Sequence, residues 1–366
     1  MLFNFILVLY FNFIKNIEVP EIDPLLFFSD VFMGKCGAQM FRPKEIKVKP
    51  DISTSIVVNW KNSEKMTRKT SEKEDLNLVY NTSVYTDTED EGKPLQLHMN
   101  IMYHPKATEP SKIILVIPGG GFIGCNINTT LLLLRQNLQY NGFAVAAIEY
   151  HVVGNGFYYD ALEDINNAIK YLKENKKKYN IDIKNLIILG NSAGGYLTAL
   201  YTIKNPEGIK CAVDLYGLSD LTKVGSDYDE ECYRNHLTPN SSESMYIFGC
   251  YSGIGVGDNE TEVQKANPVN YVTGKVPPFL LMHGDVDKTV SNSQTLLVHN
   301  ALLEKGVSSI RYVLEGDEHG RGGFDSVDTL NTIIKFINSH TDNKSHSGFL
   351  DIKIIYNILI LILLFI

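Results

Sequence analysis

Through the middle of the chain, short and almost wholly apolar runs alternate with longer stretches in which apolar residues return every three or four positions. The runs at 113–117, 144–148, 186–189, 210–215, 279–282 and 310–314 have strand length and are rich in Ile, Val and Leu. The stretches 129–140, 159–177, 195–203, 291–305 and 328–338 carry helical spacing. Strands apolar at nearly every position are buried on both faces, so this alternation predicts an α/β fold with a mostly parallel central sheet and helices on both sides. Two earlier runs, 77–85 and 95–103, joined by the polar stretch 86–93, predict an antiparallel edge.

Between 216 and 275 the periodicity weakens while Gly, Ser, Asp, Asn and Tyr become frequent. A lid or cap insertion is expected there. Its rings, Tyr228, Tyr233, Tyr246, Phe248 and Tyr251, either face a substrate or pack on the core. The polar stretch 51–77, with Trp60 isolated in it, reads as a solvated linker, and 20–50 holds too few periodic positions to make a domain.

Both ends differ from the middle. Residues 2–14 are nearly all apolar, as in a secretory signal, although a basic start and a small-residue cleavage site are missing. The last thirteen residues, 354–366, are apolar except Tyr356 and Asn357, and follow a polar spacer with Ser345, Ser347 and Gly348. That order suits a glycolipid-anchor signal or a retained membrane helix. The expected organisation is a signal or hydrophobic anchor at 1–19, an extension and linker at 20–78, the α/β domain at 79–340 and a spacer with tail at 341–366. Secretion to a cell surface, with membrane attachment through the tail, is the expected location. Sequons at Asn81, Asn128, Asn240, Asn259 and Asn343 are compatible with a glycoprotein.

With 366 residues and 44% hydrophobic content the chain can bury a large core. A net charge of −8 argues against a nucleic-acid partner. The five cysteines form no spaced framework; Cys232 and Cys250, both in the lid region, are candidates for a bridge. No zinc pattern, phosphate loop or dinucleotide fingerprint is visible, so no metal or cofactor is expected.

The chemistry lies at strand ends. Gly190-Asn191-Ser192-Ala193-Gly194 follows one apolar run and precedes a helical stretch, as a nucleophile elbow does: small residues two positions either side let the chain double back beneath an exposed serine. The run at 113–117 ends at Pro118 and opens into Gly119-Gly120-Gly121-Phe122. Amides of Gly120 and Gly121, with that of Ala193, are placed to hold an oxyanion. Beyond the run at 279–282 comes His283-Gly284-Asp285-Val286-Asp287. Asp287 is the preferred triad acid, because Asp285 lies nearer the strand end and is better placed to brace the loop. His319 follows the run at 310–314 on a loop, as a general base requires. Among the nine histidines, His283 reads as a buried, hydrogen-bonded residue and His299 as a structural one. The order Ser192, Asp287, His319 is that of the α/β hydrolases and not of the chymotrypsin or subtilisin folds.

Residues from about 79 to 337 resemble the esterase and lipase-like branch of the α/β hydrolases, in particular the feruloyl and acetyl-xylan esterases. The helical stretch beginning Tyr159-Asp160-Ala161-Leu162 and the segment Ala266-Asn267-Pro268-Val269-Asn270-Tyr271 extend the likeness beyond the triad. Pro118 stands where relatives usually carry a histidine, and Tyr150-His151 where many carry Tyr-Arg. The resemblance implies a serine esterase acting on a small-molecule, carbohydrate or lipid ester. An amidase or exopeptidase could use the same triad, and a non-catalytic binding protein could share the fold.

Overall fold

Along β4 (Ser111–Ile117) the residues Ile113, Leu115 and Ile117 join one buried cluster, and Ile114 and Val116 another. The same alternation runs through β5 (Ala144–Ile148) and the core of β6 (Ile181–Asn191). Further along the sheet, β7 (Ile209–Leu215) and β8 (Phe279–Gly284) present Cys211, Val213, Leu280 and Met282 to one face, and Ala212, Phe279 and Leu281 to the other. A strand covered on both sides has no polar face to keep. This is why the apolar runs in the sequence are continuous.

The computed structural model describes residues 37–84 and 94–341. The strand order is β1-β9-β8-β7-β6-β4-β5-β3-β2, in which β1 (Ile56–Val58) and β9 (Ser309–Leu314) run parallel at one edge. Strands β2 (Lys73–Val84) and β3 (Pro94–Tyr103) form the antiparallel end, and β3 is also antiparallel to β5. The other pairings are parallel. Helices α1 (Leu132–Tyr140), α2 (Tyr158–Glu174) and α3 (Ala193–Lys204) follow β4, β5 and β6. Three short helices, α4 (Glu230–His236), α5 (Ser242–Phe248) and α6 (Glu260–Ala266), lie between β7 and β8, and α7 (Ser293–Glu304) and α8 (Val327–Thr341) follow β8 and β9. Leu134 and Leu138 of α1, with Leu330, Ile333, Phe336 and Ile337 of α8, cover one face. Ile165, Ala168 and Leu172 of α2 and Leu197 and Leu200 of α3 cover the opposite one. Between β4→β5 and β5→β6 the chain reverses its direction across the sheet, so the loops leaving the paired carboxyl ends of β4 and β6 part toward opposite faces, α1 on one and α3 on the other.

The expected solvated linker at 51–77 is corrected. Residues 56–58 add a strand to β9, Val58 accepts a hydrogen bond from Glu315 N at 2.8 Å, and β2 begins at Lys73. Trp60 packs on Tyr312, with ring centroids 5.6 Å apart, and Met66 is buried. The β-branched Ile56-Val57-Val58 triplet suits an edge strand, but three residues are too few to stand out from their polar surroundings. A bridge between Cys232 and Cys250 is not formed: Cys232 is a buried free thiol and Cys250 is in a disulfide elsewhere. The apolar start at 1–19, the polar link at 86–93, Asn343 and the tail from 342 lie outside the described residues. Among the described residues no helix is long and apolar enough to cross a membrane.

Candidate active site

Ser192 stands between β6 and α3 with φ 55° and ψ −125°, a conformation that sets its side chain at the tip of the turn. The turn is tight enough to exclude any Cβ at its flanks: one added to Gly190 would lie 2.2 Å from the Gly194 carbonyl oxygen, and one added to Gly194 only 2.0 Å from that of Ile117. Leu215 at the end of β7 accepts from Ser192 N at 2.9 Å, which ties the elbow to the neighbouring strand.

Three residues far apart in the chain meet here. His319 Nε2 lies 2.9 Å from Ser192 Oγ, and His319 Nδ1 lies 2.6 Å from Asp287 Oδ2. Asp287 is 1% exposed. Its Oδ1 accepts from the amides of Thr289 at 2.7 Å and Val290 at 3.0 Å. Burial alone would raise the Asp287 carboxyl, yet the facing His319 and a hydrogen bond from His283 hold it well below the usual carboxylate range. Asp285 takes the bracing place expected of it, accepting from Gly316 N at 2.6 Å. His283 is fully buried, and His299 is buried between Ser309 Oγ and the Thr54 carbonyl.

Gly120 and Gly121 flank Ser192 in one cavity, and Ala193 opens α3 beside them. Among the described residues none of their three amides has a hydrogen-bond acceptor, and the first N–H groups of a helix point out of it. Asn191 joins this loop to the elbow: its Oδ1 accepts from Gly119 N at 3.1 Å and from Thr130 Oγ1 at 3.2 Å. Tyr150 donates its phenol to the Pro118 carbonyl at 2.7 Å. His151, where many relatives have arginine, is held by Asp164 at 2.7 Å on Nδ1 and by Ser83 Oγ at 2.9 Å on Nε2. The loop is thus braced from both sides.

A cavity of about 580 Å³ opens over Ser192 and His319. Its wall is not the aromatic lid. It comes from Met40, Arg42 and Pro43, from 129–134 leading into the first turn of α1, and from the His319 loop with Arg321, Phe324 and Asp325. Tyr228 and Tyr246 are buried instead, Tyr246 stacking on Phe122 with centroids 4.7 Å apart and Tyr228 donating to the Asp287 carbonyl at 3.2 Å. Of the two roles open to these rings, packing describes Tyr228 and Tyr246, while Tyr251 is exposed. The segment at 37–48 reaches the cavity because it is laid along the insertion: Gln39 pairs with Ser241 and Ile46 with Tyr228. No local pattern in the sequence announces this, since the wall is made by pairings more than 180 residues distant.

A second recess of about 20 Å³ adjoins Ser192 and Ala193 and is lined by Phe41, Phe122, Leu218 and Val290 together with His236 and Glu243. His236 Nδ1 lies 3.0 Å from Glu243 Oε1, and both side chains are buried. Burial by itself lowers the imidazole, but Glu243 and Cys232 raise it to about 10. Among the described residues no group of three or more His, Cys, Asp or Glu side chains is placed to hold a metal ion.

The model of the BD-FAE family matches residues 99–302. Esterase LipC of Mycobacterium tuberculosis is 26% identical over 236 residues, covering 62% of this chain and 56% of that protein. The acetyl esterase of Salmonella schwarzengrund is 23% identical over 229 residues, covering 56% and 64%. The chain spans about half the length of the first curated relatives it matches. A truncated carbohydrate esterase from gut microbiota superposes with a TM-score of 0.62 at 20% identity, covering 76% of this chain and 99% of that one. The esterase Est2 of Thermogutta terrifontis gives 0.53 at 18%, covering 73% and 95%. More than half of the sequence lies within the family match, including the elbow, the glycine loop and Asp287, and the fold superposes on these structures: the chain belongs to the BD-FAE family and has the α/β-hydrolase fold.

Proposed function

We propose that the protein hydrolyses carboxylic esters through an acyl-enzyme formed on Ser192. One observation carries this reading: an unbroken hydrogen-bonded line from Ser192 Oγ through His319 to the buried Asp287 carboxylate, beside amides with no acceptor among the described residues. His319 Nε2 takes the Ser192 proton as Oγ attacks the acyl carbon. Asp287 fixes the ring and stabilises the imidazolium. The amides of Gly120, Gly121 and Ala193 hold the oxyanion, each worth about 3 kcal/mol in the transition state. The tetrahedral intermediate collapses as His319 passes its proton to the departing alcohol. Water, deprotonated by the same imidazole, then frees the acid and returns the proton to Ser192.

The recess beside Ala193, at about 20 Å³, admits no more than the methyl end of a short acyl group, and the wider cavity, with Arg42, Asn126, Thr129, Thr130 and Glu318 on its wall, suits a polar alcohol such as a sugar. The names of the relatives, esterases that include an acetyl esterase and carbohydrate esterases, support the same class. Ser192→Ala should lower turnover of a nitrophenyl acetate by about three orders of magnitude or more and abolish labelling by a fluorophosphonate. Near-normal turnover would overturn the nucleophile assignment. A panel of esters of increasing acyl length tests the recess: activity should fall steeply beyond two or three carbons, and undiminished activity on long acyl chains would remove the recess as the acyl site.

A further inference from the structure

We propose that His283 is a positioning residue for the reaction, acting as a second hydrogen-bond donor to the carboxylate oxygen that holds His319. The proposal rests on the triad reading above and adds a residue behind it. Asp287 Oδ2 lies 2.6 Å from His319 Nδ1 and 3.2 Å from His283 Nε2, so one oxygen is shared between two imidazoles.

Which nitrogen of His283 carries the proton follows from its partners. The carbonyl of Val290, 3.0 Å from Nε2, can only accept, and so can the Asp287 carboxylate. Nε2 therefore holds the hydrogen. On the other side Nδ1 faces Thr295 Oγ1 at 3.0 Å, and Arg311 Nε donates to that same hydroxyl oxygen at 3.1 Å. A guanidinium has nothing to accept with, so the threonine proton goes to His283 Nδ1 at 3.0 Å, the nearer of its two acceptors, the Asn292 carbonyl lying 3.4 Å away. Arg311 is anchored by the Asn292 carbonyl at 2.9 Å, Asn292 Oδ1 at 2.6 Å and Ser55 Oγ at 2.6 Å. The single Nε2 hydrogen is shared between the Val290 carbonyl at 3.0 Å and Asp287 Oδ2 at 3.2 Å, so the line Arg311, Thr295, His283, Asp287, His319 and Ser192 is continuous, with the His283–Asp287 contact its longest step. Burial lowers the His283 imidazole despite the neighbouring aspartate, which agrees with a neutral ring.

The consequence is electrostatic. A carboxylate that accepts two backbone amides on Oδ1 and a second imidazole on Oδ2 has part of its charge already engaged, so it stabilises the His319 imidazolium less than it otherwise would. The other titratable groups near this line are Tyr216 and Tyr228, whose phenols burial keeps protonated, Asp227 and Asp51, which act on Arg311, and His299, whose imidazole burial and Arg311 lower. Lys288, Glu318 and Asp325 face the open cavity.

Glutamine and asparagine separate the donor from the space it fills. The Gln amide reaches the place of Nε2, whereas the Asn amide ends near that of Nδ1 and cannot reach Asp287. In His283→Asn the acid limb of the kcat/KM profile should move to higher pH by about 0.5–1 unit, so that activity at the acid end falls several-fold. In His283→Gln the limb should stay with the wild type. Superposed limbs for Asn and wild type, or equal shifts for Asn and Gln, would overturn the proposal. Should the Asn protein not fold, nitrogen NMR of histidine-labelled wild type decides: His283 must remain neutral with its proton on Nε2 throughout the limb, and an Nδ1–H tautomer refutes the role. Persistent turnover by Ser192→Ala would instead remove the triad reading itself, which distinguishes the two failures.

Discussion

The ring of Tyr216 stands edge-on against the imidazole of His319, with centroids 4.6 Å apart and planes 63° from parallel. Tyr216 is the residue after the end of β7, held with φ 46° and donating its amide to the Met282 carbonyl at 2.7 Å, while Phe324 backs its other side at 4.8 Å. It forms a wall that fixes His319 laterally, where the hydrogen bonds to Asp287 and Ser192 fix it lengthwise. Tyr216→Ala should therefore lower kcat by about ten-fold or more through misplacement of the base. Tyr216→Phe, which keeps the ring, should lie within a few-fold of wild type. Steady-state kinetics on both variants check this, and equal losses in the two would mean that the phenol and not the wall matters.

The elbow depends on bare backbone. Gly194→Ala would drive a Cβ to within 2.0 Å of the Ile117 carbonyl oxygen and 2.6 Å of that of Pro118, both backbone atoms at the end of β4. The strand end cannot yield without moving the glycine loop. Loss of fluorophosphonate labelling together with a lowered melting temperature is expected. Gly121→Ala tests a different neighbour, because its Cβ would meet the Met40 side chain, although φ +59° adds backbone strain of about 1 kcal/mol. Pairing it with Met40→Ala should recover stability more than the single substitutions suggest, by urea unfolding.

His236 and Glu243 make a pH-dependent contribution whose sign is fixed. In the folded chain the imidazole keeps its proton to about pH 10, against 6.5 when unfolded. Stability from the pair is fully present below pH 6.5 and is lost as pH rises toward 10. Glu243→Gln should cost about 3–5 kcal/mol at pH 6, since it leaves a buried imidazole without its counter-charge, and much less near pH 10. Denaturation midpoints of the two proteins at pH 6, 8 and 9.5 should converge; parallel curves would remove the pair from the account.

Asp214 acts in the same sense over a more acid window. It is fully buried at the end of β7, and burial raises its carboxyl to about 7, the amide of Gly217 only partly opposing it. The folded state holds this proton between pH 3.8 and 7 when the unfolded state has released it, so stability falls as pH rises through that window. Asp214→Asn removes the slope. Relative to wild type the variant should gain on the order of 3 kcal/mol between pH 4 and 7, read from urea denaturation.

Much of the scaffold was legible in the chain because two-sided burial makes a strand apolar at consecutive positions. The run at 144–148 coincides with β5, and 310–314 differs from β9 by one residue. Residues 56–58 escaped notice since an edge strand has no such signature. Met40 and Arg42 escaped for another reason: nothing nearby in the sequence marks a wall assembled by distant pairing. His283 and Tyr216 were visible only as residues following strands, without their partners.

By itself the sequence determined the local chemistry: an elbow that demands glycines around Ser192, a glycine loop after one strand, an aspartate and a histidine after two others, and periodicities that choose between sheet and helix. These are short-range constraints, and backbone sterics and side-chain pattern suffice to state them. Only the tertiary structure decided that His319 reaches both Ser192 and Asp287, that Asp287 is shared with His283, and that Met40, Arg42 and Pro43 join the cavity wall where Tyr228 and Tyr246 do not. Those are contacts across tens to hundreds of residues, selected by the packing of the whole sheet and leaving no periodic trace in the chain.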